Sequence, residues 1–277
     1  MSMARADRPV RLRWWKEAVY VLLFYGVYSL IRNQFGSAAV SDHLALRHAR
    51  EVIDVERWLH SFHEEAVQRA FLGARWFIQF WNLFYGTFHF VVTTFCIFWL
   101  FRKFPERYVK YRTALAVTTG LALIGFATFP LMPPRLLPHF DPSFSFKDTL
   151  QTYGGLWSFD SGAMQKVSNQ YAAMPSLHFG WSTWCALVLV PTVRPRWLKV
   201  VCALYPLCTL FAIVVTANHY WLDAAGGALI LAVGMLVGTW WSDRSRAVPE
   251  TIDADDSEDR VAAVDDEGVA RVVGGGG

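Results

Sequence analysis

Apolar residues run in long blocks along this chain, and six blocks approach the roughly 20 helical residues needed to cross a hydrocarbon core about 30 Å thick. They extend from Trp14 to Ile31, Trp76 to Phe101, Thr113 to Leu131, Leu177 to Val193, Val200 to Ala217 and Tyr220 to Trp241. Lys16 and Glu17 lie near the start of the first, where they can reach headgroups; Met174 and Pro175 lengthen the short fourth block. Between the first two blocks the pattern changes. Val52, Val55, Leu59, Phe62 and Ala66 recur at steps of three and four, with Arg57, His60 and Glu64 off that stripe. This predicts an amphipathic helix lying in the outer interface. From Met132 to Met174 the chain is too polar to span, and Pro130, Pro133, Pro134 and Pro138 end the third helix. A loop of that length usually has a function.

The predicted fold is therefore all-α: a polytopic bundle of six transmembrane helices over residues 1–241, with an external amphipathic helix. From Ser242 onward, residues 242–277 hold ten acidic residues against four Arg and no aromatics, which predicts a disordered acidic tail. Composition supports lipid as the solvent. The chain is 54% hydrophobic and 16% aromatic, and its 18% of charged residues falls short of the roughly 25% of soluble domains. A net charge of +3 without a basic stripe gives no case for nucleic acid.

Basic clusters set the orientation. Arg5 to Lys16 precede the first span, Arg102 to Arg112 separate the second and third, Arg194 to Lys199 separate the fourth and fifth, and Arg244 and Arg246 follow the sixth. Six spans place all four clusters on one side. That predicts a multi-pass cell-membrane protein with both termini cytoplasmic. The first block exceeds the 7–15 residues of a signal-peptide core, so it reads as an uncleaved anchor. Cys96, Cys185, Cys202 and Cys208 sit inside apolar blocks without zinc spacing and read as buried hydrophobes.

Ionisable residues within or capping a span are costly and point to function. Three groups share one predicted depth at the external surface: Arg135 in MPPRLLP, Ser176 with His178 in AMPSLHFGW, and His219 with Asp223 in ANHYWLDAAGG. His219 and Asp223 are four apart, so they stack on one helix face. A carboxylate there accepts the Nδ1 proton and leaves Nε2 as a nucleophile. Asn218 is the expected N-cap of the sixth helix. The helix end opposes protonation of His219 and Asp223 favours it. Pro175 suits the first turn of the fourth helix, whose amides and Ser176 hydroxyl would face an anion. His178 can protonate a leaving oxygen, and Arg135 offers a forked positive charge for phosphate. Each residue has a plain structural alternative as a packing histidine, a headgroup anchor or a helix cap. No three ligands have the spacing of a metal or haem site, so neither metal nor cofactor is expected. In the second span Gln79, Asn82, Tyr85 or Gly86, and His89 follow steps of three and four and form a polar stripe. It reads either as interhelical hydrogen bonding or as a headgroup or acceptor pocket, and Gln79, Asn82 and Tyr85 are the pocket candidates. At about 20 Å below Trp76, His89 is expected to be too deep for surface chemistry. Gly234 and Gly238 read as a helix-packing pair.

The ordered trio Arg135, then Pro175-Ser176-Leu177-His178, then His219 with Asp223 resembles the type 2 phosphatidic acid phosphatase superfamily. The runs AMPSLHFGW and NHYWLDAAGG resemble its inositol phosphotransferase branch, which includes fungal inositol phosphorylceramide synthase. The likeness covers about residues 40 to 241. It implies a six-helix membrane bundle and a metal-free phosphohistidine mechanism, which the topology above places at the external leaflet. His219 would be the nucleophile, Asp223 its orienting partner and His178 the acid and then base; Arg135 and Ser176 would hold phosphate. It implies a phospholipid or lipid phosphate substrate, with water, inositol or another alcohol as acceptor. The fullest family pattern has Lys, Gly and Arg where this chain has Thr128, Leu177 and Ile213. Two phosphate-binding cations are thus missing. Either Lys147 or Lys166 substitutes, or the substrate is a phosphodiester carrying less charge. A transporter or flippase that binds a lipid phosphate without breaking bonds is the competing class, and a silent relative is the third.

Overall fold

The structure is a computed structural model and describes residues 13–35, 41–154 and 170–247. The predicted disordered tail, apart from its first residues, lies outside them, as does Lys166. Among the described residues there are helices and one isolated parallel bridge, Leu131 to Ala172, but no strand. The helices are α1 (Trp14–Phe35), α2 (Asp42–Trp58), α3 (Glu64–Phe71), α4 (Arg75–Lys103), α5 (Pro105–Thr128), the short α6 (Thr149–Tyr153), α7 (Leu177–Leu189), α8 (Arg196–Val215) and α9 (Trp221–Ala247).

Three of these are long and apolar enough to cross a membrane: Arg75–Lys103, Arg196–Val215 and Trp221–Ser245. At 13 residues α7 is apolar but shorter, about 20 Å at 1.5 Å per residue. Helix α5 has the length, yet it opens on Glu106, Arg107, Lys110 and Arg112. Glu17 of α1 is tied to α5: it pairs with Arg112 at 2.5 Å and accepts from the Tyr108 hydroxyl at 3.2 Å. The outer faces of α4, α8 and α9 carry bare apolar side chains, among them Phe90, Phe95, Phe98, Val200, Leu204, Leu229 and Leu236. An apolar surface this extensive is compatible with a membrane-embedded bundle.

Of three buried clusters in the chain's main compact unit, which ends at Trp241, two are large. One fills the bundle, with Cys96, Leu100, Trp184, Cys185, Val188 and Leu231 buried between α4, α5, α7, α8 and α9. Cys96, Cys185 and Cys202 are free thiols within it, whereas Cys208, expected to be buried, is a half-buried free thiol outside it. Gly234 and Gly238 let α9 approach α5: a Cβ on either would strike Thr118 and Ala114 or Lys110 and Ala114. The other core forms a cap at one end, where Ala45, Ala49, Val52 and Ile53 of α2 meet Leu131, Met132, Leu137, Phe144, Phe146 and Tyr220.

The expected single amphipathic helix is two. The chain breaks after Trp58, His60 takes a positive φ of 55°, and α3 restarts at Glu64. The buried stripe runs Ala45, Ala49, Val52, Ile53 and Glu56, while Val55 and Leu59 are exposed. Val55 and Leu59 lie off the face that packs on the cap core, which is carried by Ala45, Ala49, Val52 and Ile53. The long loop is also structured: Pro134–His139 forms a 3-10 turn and Thr149–Tyr153 a helical turn capped by Asp148.

Candidate active site

The site forms where the starts of α7 and α9 meet the middle of α4. Ser176 is the N-cap of α7: its Oγ accepts from the Phe179 N–H at 3.4 Å, and its own N–H donates to the Asp223 carbonyl at 2.8 Å. Pro175 therefore lies before the cap, not in the first turn. The N–H groups of Leu177 and His178 have no protein partner among the described residues. Close approach of the two helices depends on glycine. A Cβ at Gly227 would strike the Ser176 carbonyl, and one at Gly226 would sit 3.1 Å from Pro175 Cβ.

His219 precedes α9 instead of lying in its first turn, because Tyr220, not Asn218, is the residue before Trp221. Asp223 in that first turn reaches back. Its Oδ2 lies 3.1 Å from His219 Nδ1 and accepts from the Tyr220 N–H at 2.9 Å. His219 Nδ1 is also 2.9 Å from the Ala173 carbonyl. A carbonyl oxygen only accepts, so Nδ1 carries the proton. In the neutral ring Nε2 then holds a free lone pair. The Ala173 carbonyl is a second determinant of the tautomer that side-chain spacing does not reveal.

The His178 ring lies 5.5 Å from the His219 ring, at 61°. Tyr85 stacks on His178 at 4.2 Å and 19°, and lies 6.3 Å from His219. His89 also belongs here: its ring meets His178 edge-on at 4.2 Å, and its Nδ1 is 2.9 Å from the Tyr85 carbonyl. The depth argument against His89 is overturned. It assumed that α4 and α7 start at one level, whereas α4 extends upward into the cap and α7 starts alongside its middle.

Arg135 joins the cluster through Asn218. Its Nε donates to Asn218 Oδ1 at 3.0 Å, its backbone N–H donates to the Ala217 carbonyl, and Nη1 pairs with Asp148 Oδ2 at 2.6 Å. Both side chains of that ion pair are 12% exposed. Asp148 gave no signal in the sequence, because its partner lies across a loop without periodicity. Gln79 is exposed and Asn82 buried, and both direct amide N–H groups at the long loop. Gln79 donates to the Tyr153 carbonyl, and Asn82 donates to the carbonyls of Thr149 and Gly154 and accepts from the Thr149 hydroxyl. Both clasp α6, and so hold Asp148 against Arg135; of the three pocket candidates only Tyr85 faces the histidines. Thr128 bonds to its own helix at Ile124, Ile213 is fully buried among apolar side chains, and Lys147 is exposed. No group of three or more His, Cys, Asp or Glu placed to hold a metal ion occurs among the described residues.

Two imidazoles thus stand 5.5 Å apart, one with its Nδ1–H held by a carboxylate and a carbonyl, and Arg135 is linked to this cluster through Asn218. The profile of the PAP2 superfamily matches residues 50–237. The chain belongs to that superfamily, the type 2 phosphatidic acid phosphatases, and this membership supports phosphatase-type activity on lipid phosphates at a membrane. No curated protein and no solved structure gives a significant match to the chain.

Proposed function

We propose that this protein is a lipid phosphotransferase working through a phosphohistidine on His219, and that its substrate is a phospholipid diester whose phospho-headgroup passes to or from an alcohol such as inositol. The observation that carries the reading is His219 itself. Its Nδ1–H is held by the Asp223 carboxylate and the Ala173 carbonyl, and the His178 ring stands 5.5 Å away.

The reaction has two balanced steps. In the first, the His219 Nε2 lone pair forms a bond to phosphorus while the bond from phosphorus to the leaving oxygen breaks, and His178 gives that oxygen a proton. The anionic phosphate between the rings supplies the counter-charge for the His178 imidazolium. The proton on His219 Nδ1 stays in place, and Asp223 balances the positive charge that develops on the ring. The guanidinium of Arg135 and the free N–H groups of Leu177 and His178 meet the equatorial oxygens, with Ser176 shaping the turn that presents them. In the second step an acceptor oxygen attacks phosphorus, His178 takes its proton, and the bond to His219 Nε2 breaks.

A diester is favoured by charge. Asp148 offsets Arg135, and the positions of the two absent family cations hold Thr128 and Ile213. A site with so little net positive charge suits a monoanionic diester better than a dianionic monoester. The reading includes six spans, cytoplasmic termini and an external active site, supported by the basic clusters and the apolar outer faces. Purified protein incubated with labelled phospholipids, with and without inositol, tests it through product identity. His219→Ala is expected to abolish turnover together with acid-labile phosphate labelling of the protein. Full activity in that variant removes the mechanism.

A further inference from the structure

Behind the site, three carboxyls take three successive backbone N–H groups at the start of α9. Asp223 accepts from Tyr220, Glu64 of α3 accepts from Trp221 at 3.2 Å, and Glu56 of α2 accepts from Leu222 at 2.8 Å. Glu56 and Glu64 are fully buried, and each uses only Oε1 in these bonds. Their Oε2 atoms are buried and meet no N–H or hydroxyl donor. No Lys, Arg or His lies within ion-pair distance of either among the described residues. Because they accept from the consecutive N–H groups of Trp221 and Leu222, the two buried carboxyls lie side by side, each with one oxygen unpartnered. Two ionised carboxylates bring only acceptors to such a contact, whereas one added proton turns it into an O–H···O bond.

Electrostatics points the same way. Burial, then the hydrogen bond and charge of Glu64, push the Glu56 carboxyl from 4.5 up to about 9; the Leu222 N–H opposes this and the Asp223 charge adds to it. The groups facing the pair are Glu64 from α3, and Asp223 and the Tyr220 phenol from the start of α9.

We propose that Glu56 and Glu64 share a single proton and act as one positioning unit that anchors the first turn of α9. That anchor holds Tyr220 to Leu222 in place and so fixes where His219 and Asp223 stand. The positioning role rests on the reading of His219 as nucleophile; the shared proton does not. The arrangement adds only one negative charge to a helix end that already carries Asp223. Loss of the proton puts two adjacent carboxylates beside a third, and the anchor then repels itself. The folded state retains the proton longer than the unfolded chain, so stability is full below about 4.5 and declines as pH rises toward about 9.

The test uses full-length protein in a detergent without ester groups. Infrared difference spectra at neutral pH should show the deuterium-sensitive carbonyl stretch of a protonated carboxyl. That band should titrate away toward pH 9, be missing in Glu56→Gln and persist in Asp223→Asn. Glu56→Gln keeps the acceptor for Leu222 and offers an N–H to Glu64, so it mimics the protonated pair. Its melting temperature should match the wild type at pH 5 and exceed it by several degrees at pH 9. A wild-type spectrum without the band overturns the proposal, as does a band that survives in Glu56→Gln or a pair of parallel stability curves. If Glu56→Gln fails to fold, the wild-type titration and Glu64→Gln, in which the band should titrate away at lower pH than in the wild type, still decide. Absence of turnover on every lipid would remove the phosphotransferase reading and leave these measurements standing.

Discussion

His219 is held by two acceptors of different kinds, and they are separable. In Asp223→Asn the Ala173 carbonyl still accepts from Nδ1, so the tautomer survives and only the charge compensation is lost. Turnover should fall by about 10²-fold or more through kcat, with KM little changed. Steady-state kinetics on the identified lipid checks this; an unchanged kcat would leave Asp223 as a helix cap alone. The Arg135–Asp148 pair makes a second prediction. Asp148→Asn leaves Arg135 with an uncompensated charge at a largely buried site, which should shift preference from diester toward monoester substrates. Competition between phosphatidic acid and phosphatidylinositol reads the ratio, and no shift would argue that Asp148 is not tuning the site.

Among the elements, the join between α7 and α9 matters most. Gly227→Ala drives a methyl into the Ser176 carbonyl, and overpacking of this kind costs about 1–3 kcal/mol. It should lower the melting temperature and activity together, because His178 and His219 ride on the two helices being separated. Gly120 in α5 has nothing within 4 Å of an added Cβ. Gly120→Ala should therefore be neutral or stabilising by up to about 1 kcal/mol, as alanine is in helices. Equal losses in the two variants would refute the contact argument. The clasp on α6 is the second join. Asn82→Ala removes the amide donor to the Thr149 and Gly154 carbonyls and leaves the Thr149 hydroxyl only the Thr216 carbonyl, at about 1–3 kcal/mol. Limited proteolysis should then cut the 149–154 segment faster than in the wild type.

On the scale of the whole molecule, the outward apolar faces of α4, α8 and α9 and the four basic clusters predict one topology. Single cysteines placed at Glu106 and at Arg194 in a cysteine-free background should react from the same side of a sealed vesicle, and one at Ser145 from the opposite side. Labelling of all three from one side would end the six-span arrangement. The cap explains why the chain can be read as a membrane protein and still bury so much polar chemistry: Glu56, Glu64, Asn82, Asp223 and Thr149 all lie beneath it, each with a hydrogen-bond partner.

What the chain's own pattern determined is the helical class, the apolar spans and the residues worth suspecting. Span length, cap residues and the four-residue spacing of His219 and Asp223 are local properties, and local physics governs them. The tertiary structure alone decided which polar residues meet. Asp148 finds Arg135, Glu56 finds Glu64, the Ala173 carbonyl finds His219 and His89 finds His178 only after helices have stacked at particular depths. Even the buried face of α2 was legible in principle, since Ala49, Val52, Ile53 and Glu56 follow steps of three and four. A buried glutamate breaks that apolar stripe, and its burial becomes tolerable only when a second carboxyl and the start of another helix arrive to complete its hydrogen bonds.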